Sequence, residues 1–310
     1  MQIVNPRVIV PHIDGVQLMK NIEMAGRTCY KSESKSEDSY KQFVRSCIAR
    51  GHESVIEHEK VTVRLVTDRG TMWDITRHRH ASFSIESTRY CNYTKDKFGN
   101  EIKVIEPFFL KPDVQDEGLD KWQPYLLWVD AIHQSEQSYF QILNGGAKPD
   151  YARMVLPASL ATEICMTANM REWRHIFKLR CQNTVHPHVR QVMIPLLLHF
   201  KEVMPELFDD IEYDEEFVKQ YKNFIPKVEV EATPLQLWSI SKLYELSCEP
   251  KDDEGMTYNN GYIDGQKAIV EKVLNKLFVD KMKVKLNSIS DEELAKIIED
   301  NGLKVEEIKI

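Results

Sequence analysis

The chain has 310 residues, 42% hydrophobic and 29% charged, enough for a substantial buried core in one large domain or one domain with an appendage. Its formal net charge of -7 argues against general affinity for nucleic acid polymers, because phosphate-tracking surfaces need clustered, uncompensated Lys and Arg. No apolar run approaches the roughly 18 residues of a membrane span, and the cysteines at 29, 47, 91, 165, 181 and 248 form no Cys-x-x-Cys pair. The expectation is a cytoplasmic, unprocessed protein with reduced, buried thiols and no membrane contact.

Asp38 to Arg50 reads as a helix, with Phe43, Cys47 and Ile48 at helical spacing and Gly51 as its stop. Lys60 to Thr67 alternates Val61, Val63 and Leu65 with Thr62, Arg64 and Val66, the period of two that predicts a strand, and Asp68-Arg69-Gly70 is expected to turn the chain. Ile102 to Phe109 predicts a second strand. Helices are predicted at about 120 to 143, 158 to 180 and 187 to 204, punctuated by Gly145-Gly146 and Pro187. A core over residues 1–230 is expected to be followed by a mixed-charge helical extension over 231–310. There Glu249 to Asn260 reads as a loop, Ser290 with Glu293 as a capping box, and Asn301-Gly302 as a helix stop.

The informative stretch is Arg77-His78-Arg79-His80-Ala81-Ser82-Phe83-Ser84-Ile85-Glu86-Ser87-Thr88-Arg89-Tyr90, where three arginines and one glutamate leave a local charge of +2. In an acidic protein, guanidinium forks mixed with hydroxyl donors suit a phosphate-bearing ligand such as a nucleotide. A solvated basic strand edge is the bland alternative from charge alone.

The wording of the segment decides between them. Arg77-His78-Arg79 followed after seven residues by Ser87 resembles the signature of the flavin-dependent thymidylate synthases, and the flanking Ala-Ser-Phe-Ser and Ser-Thr-Arg-Tyr match as well. The resemblance covers roughly residues 15 to 205. Gly51-His52-Glu53-Ser54-Val55-Ile56-Glu57-His58 is similar to the family's flavin-bordering segment, while Ala152-Arg153-Met154-Val155-Leu156-Pro157 and the helix ending Leu179-Arg180 follow in the expected order. The resemblance implies an α+β fold, a small antiparallel sheet packed with long helices, assembled as a homotetramer whose active sites draw on several subunits. It implies reductive methylation of deoxyuridylate (dUMP) to thymidylate (dTMP), with methylenetetrahydrofolate as carbon donor, tightly bound FAD as hydride carrier and NADPH to re-reduce it.

Residue by residue, the resemblance assigns His52, Ser54, Glu57, Arg77, His78, Arg79, His80, Asn169, Arg171 and His175 to the flavin. It assigns Asp74, Arg77, Glu86, Ser87, Thr88, Arg89, Arg153 and Arg180 to dUMP. The family usually places Gln or Glu where this chain has Ile85, so Glu86 is the neighbour able to supply that polar contact, and Asp74 is shorter than the acid or amide common there. Arg180 carries the catalytic expectation: a cation beside the pyrimidine imide lowers its pKa and raises electron density at the carbon to be methylated. At about 100 degrees per residue, a helix over 158–180 puts Asn169, Trp173, Ile176 and Arg180 on one face and Arg171 and His175 on the opposite one, which predicts a subunit interface.

Other chemistries fit less well. Ser87 has no His-acid pair at a recognisable spacing and reads as a binding residue. The cysteine-dependent thymidylate synthases use a Cys that follows Pro, and this chain has no Pro-Cys dipeptide. His52 and His58 stand six apart, where a zincin helix needs four, and His186-Pro187-His188 lacks a completing ligand, so no metal is expected. The Arg/His run with Phe83, Tyr90 and Tyr93 is also compatible with single-strand binding, against which the net charge speaks.

Overall fold

The computed structural model describes residues 1–29, 31–34, 36–95, 99–112 and 119–231. The chain divides into two units, Met1–Val228 and Glu229–Ile310. The expected loop at Glu249 to Asn260 and the helical extension with its capping box lie outside the described residues.

The first unit opens with β1 (Gln2–Val4), β2 (Arg7–Pro11), α1 (Gly15–Thr28) and α2 (Ser39–Ala49). Asp14 caps α1 through Gln17 N, and α2 stops where Gly51 takes φ +72 and His52 N reaches Cys47 O at 2.8 Å. A 3-10 turn, Glu53–His58, leads into β3 (Lys60–Asp68), whose Val61, Val63 and Leu65 are buried, as the alternation predicts. Asp68-Arg69-Gly70 does not turn the chain back. It starts the short helix α3 (Arg69–Ile75), because the Asp68 carboxylate accepts Thr71 N at 2.7 Å and so caps it. There follow β4 (Ala81–Ile85), β5 (Lys103–Ile105) and α4 (Leu119–Asn144), which ends at Gly145-Gly146 with Gly146 at φ +89. The strand expected to reach Phe109 ends at Ile105, and Phe108–Leu110 form a 3-10 turn.

The larger correction concerns residues 158–180. After the short α5 (Pro149–Ala152), the chain forms not one helix but β6 (Ala161–Asn169) and then α6 (Met170–Arg180). In β6, Thr162, Ile164, Met166 and Ala168 are buried while the intervening residues are more exposed, a period of two. Pairing overrides the helix preference of Ala, Glu and Met. β6 runs antiparallel to β3 over nine positions, from Lys60↔Asn169 to Asp68↔Ala161, and to β4 on its other side, from Ala81↔Ala168 to Ile85↔Ile164.

The sheet order is β4-β6-β3-β2, all antiparallel, and the fold is α+β. β1 and β5 add a separate parallel pair. α7 (Pro187–Val203) is buried over most of its length, and α8 (Pro205–Phe208), α9 (Glu215–Gln220) and the short strand β7 (Val228–Glu231) complete the described chain. Trp173, Phe177, Phe200 and Phe208 pack edge-to-face and stacked between α6, α7 and α8, and Trp173 Nε1 donates to Val61 O at 3.1 Å, tying α6 to β3. Trp173 and Ile176 are therefore core residues of one chain, so that face of α6 is not the subunit interface expected from its helical spacing. Of the described cysteines, all free, Cys47 and Cys181 are buried, Cys91 and Cys165 half-buried, and Cys29 exposed, contrary to uniform burial. Among the described residues no helix is long and apolar enough to cross a membrane.

Candidate active site

Sheet register organises the site. Because β4 lies beside β6 in antiparallel sense, the turn before β4, which carries Arg77 to His80, stands next to the β6-α6 junction. Asn169 is the cap of α6, its Oδ1 accepting Glu172 N at 2.8 Å. From that helix Glu172 and Arg180 both reach His78, which is buried at 5% exposure. His78 Nδ1 lies 3.3 Å from Glu172 Oε1, and Arg180 Nε donates to His78 Nε2 at 2.9 Å. Arg180 Nη2 donates to the Asp74 carbonyl at 2.7 Å, and the His175 ring meets that of His78 edge-on at 5.8 Å. Burial, then the nearby Arg180 and His175, pushes the His78 pKa down to about 4, so its imidazole is neutral at neutral pH.

The flanking residues of the run behave differently. Arg77, Arg79 and His80 are exposed, and neither arginine has an ion-pair partner among the described residues. Burial hides His78 and leaves its neighbours open to an anion.

A second group lies beyond the far end of β4. Arg89 Nε donates to Asp150 Oδ1 at 3.0 Å, and Arg153 reaches the same carboxylate at 3.4 Å while donating to Asp150 O at 3.2 Å. Ser87 Oγ accepts Arg89 N at 3.4 Å, Thr88 is buried, and Glu86 accepts from Tyr93 Oη at 3.2 Å. Arg153, remote in sequence, is thus brought to Arg89 and its neighbour Ser87 through Asp150.

The third group joins the Gly51-to-His58 segment to α6. Arg171 Nη1 donates to Glu57 at 2.6 Å and its Nε lies 3.5 Å from Glu53. One turn further on, buried Arg174 holds Asp210 through two 2.7 Å bonds. His52 and Ser54 are exposed nearby in sequence but have no contact with Arg171 among those described.

Glu172 and Asp150 escaped the sequence reading. With α6 beginning after Asn169, Asn169-x-x-Glu172 has the form of a capping box, the signal that a helix assumed to start at 158 conceals. Asp150 gave no comparable signal, because its meaning is that it faces two cations. Among the described residues, His78, Glu172 and His175 offer ligand atoms within 4.8 Å of one another. His78 Nε2 already accepts from the Arg180 guanidinium, and a metal cation there would face that positive charge. His52 and His58 are exposed, and His188 is buried against Asp68 at 2.6 Å.

A four-stranded antiparallel sheet with cationic groups gathered at both ends of an edge strand defines an α+β protein built to hold anionic ligands. The family described as "Thymidylate synthase complementing protein" matches residues 15–206, and the chain belongs to that family. It is similar to the "Probable flavin-dependent thymidylate synthase" of Mycobacterium phage D29, 30% identical over 199 residues, 61% of this chain and 81% of that protein. It is likewise similar to the "Flavin-dependent thymidylate synthase" of Mycolicibacterium gilvum, 30% identical over 210 residues, 62% of this chain and 78% of that protein. The protein of the same name from Corynebacterium aurimucosum is 29% identical over 203 residues, 61% and 78% of the two chains.

Proposed function

We propose that the chain converts dUMP to dTMP, with methylenetetrahydrofolate giving the carbon and NADPH the reducing electrons. The balance is one methylene group and one hydride placed on the pyrimidine carbon in exchange for its proton, leaving tetrahydrofolate and NADP. FAD, when bound and reduced, supplies that hydride. The exposed Arg77 and Arg79, without carboxylate partners among the described residues, fit its pyrophosphate, since unpaired guanidiniums favour a phosphate anion. In this reading His52, Ser54, Glu57, His80, Asn169, Arg171 and His175 border the flavin, whereas His78, expected there too, is buried and turned to Glu172 and Arg180.

The observation that carries the reading is the posture of Arg180. Nε is fixed on His78 and Nη2 on the Asp74 carbonyl, which leaves Nη1 with no partner among the described residues. Directed at the pyrimidine imide, that edge favours loss of the ring proton and raises electron density at the carbon that receives the methyl group. Ser87, Arg89 and Arg153 hold the phosphate, with Thr88 and Glu86 beside them.

The phosphate pair and Arg180 stand at opposite ends of β4. The family resemblance supports active sites shared between subunits of a homotetramer. We place this work in the cytoplasm.

The test is an absorption spectrum of the purified protein for bound flavin, then anaerobic reduction and addition of dUMP with the folate. Arg180→Ala is expected to keep flavin and lose most dTMP formation. Normal turnover by that variant removes Arg180 from the chemistry.

A further inference from the structure

Glu172 has no place in the reading above, yet it is 7% exposed at the centre of the Arg180 group. A carboxylate is buried at a cost unless it is paired or hydrogen-bonded. The positive end of α6, in whose first turn it lies, favours it there. A Glu three residues after a capping Asn ordinarily reaches back to the cap's own backbone N–H. Here Glu172 Oε1 instead faces His78 Nδ1 at 3.3 Å.

Donor and acceptor inventory fixes the rest. Guanidinium nitrogens only donate, so His78 Nε2, 2.9 Å from Arg180 Nε, must present its lone pair. The ring proton then sits on Nδ1, the nitrogen that faces the carboxylate. The opposite tautomer would set N–H against N–H at the arginine. A protonated ring would put two cations in contact, and burial with the Arg180 and His175 neighbours disfavours it.

We infer that Glu172 and His78 are positioning residues for Arg180: the carboxylate holds the Nδ1–H tautomer, the tautomer holds Arg180 Nε, and this bond with the Asp74 carbonyl aims Nη1. The inference rests on the reading of Arg180 as the group against the pyrimidine. It gives His78 a role inside the fold, where its two exposed arginine neighbours keep theirs outside it. A misaimed catalytic cation costs rate more than binding, because the charge it answers develops in the reaction.

The test compares steady-state turnover of Glu172→Ala, Glu172→Gln and Arg180→Ala in the flavin-loaded protein, with flavin content read from the spectrum. Glu172→Ala is expected to keep flavin and lower kcat on the order of tenfold to a hundredfold, with a smaller change in KM for dUMP. Glu172→Gln, whose amide oxygen can accept the same Nδ1–H, is expected to recover most of that loss. Adding Glu172→Ala to Arg180→Ala is expected to cost less than about twofold more, since the two act as a unit. Equal losses in both backgrounds, or full turnover by Glu172→Ala while Arg180→Ala is impaired, overturn the inference alone. Normal turnover by Arg180→Ala overturns the reading beneath it as well. If Glu172→Ala does not fold, His78→Gln and His78→Leu carry the test. Gln keeps an acceptor for Arg180 and is expected to be the more active, and equal activities overturn the inference. A metal ion bound one per chain and lost in Glu172→Gln also overturns it, in favour of a His78-Glu172-His175 centre.

Discussion

Acidification gives a quantitative test of His78 that needs no turnover. The folded pKa of about 4 lies below the ordinary value of 6.5, so between them the unfolded chain binds a proton that the folded chain refuses. The sign follows: this stabilisation is complete above about pH 6.5 and is lost as pH falls from there toward about pH 4. The full window corresponds to about 3 kcal/mol, and about 2 kcal/mol is gone by roughly pH 5. His199 is also held down, chiefly by burial, and adds a loss of the same sign. The informative quantity is therefore the difference between the wild type and His78→Gln in how much stability each loses from about pH 7.5 to about pH 5. Thermal unfolding should be read at one protein and one flavin concentration, because oligomerisation and cofactor binding move Tm by mass action. Wild type is expected to lose about 2 kcal/mol more than the variant, or roughly 4 to 8 °C for a core of this size. Parallel pH dependences, within about 0.5 kcal/mol, would mean that His78 is not held neutral by its surroundings and would refute the reasoning.

Four further expectations follow from packing and binding geometry. A Cβ at Gly15 would lie 2.0 Å from the Val203 carbonyl oxygen, so Gly15→Ala should destabilise by at least about 1–3 kcal/mol in a denaturant titration. Gly51→Ala, at φ +72 but in open space, should cost only about 1–2 kcal/mol by the same measurement. Asp68→Ala removes the cap of α3 and the buried partner of His188, for an expected loss of about 3–5 kcal/mol, and a change below about 1 kcal/mol would contradict the pairing. Ser87→Ala should keep measurable turnover with weaker dUMP affinity in a binding titration, whereas complete loss at unchanged affinity would make Ser87 a nucleophile.

Local signals told the truth where a residue's surroundings are local. β3 showed itself because alternate positions of one strand face one core, and α2 because its apolar stripe and terminal glycine lie within a few residues of one another. Residues 161–169 carried the same alternation, but Ala, Glu and Met also suit a helix. Only the ladders to β3 and β4 settle the matter, through contacts such as Thr62 Oγ1 with Thr167 Oγ1, 105 positions apart. Misplacing that boundary moved Asn169 from cap to helix face and concealed Glu172.

The amino-acid order alone determined the family and its activity and put forward the cations proposed to serve it, because a motif is a property of neighbours along the chain. Tertiary structure decided which of those cations are open and which are held. His78 is neutral and buried between Glu172 and Arg180, Arg89 and Arg153 share Asp150, and Arg171 rests on Glu57. The physical reason is that charge state and aim depend on burial and on hydrogen-bond partners, and in this fold those partners come from segments remote in sequence.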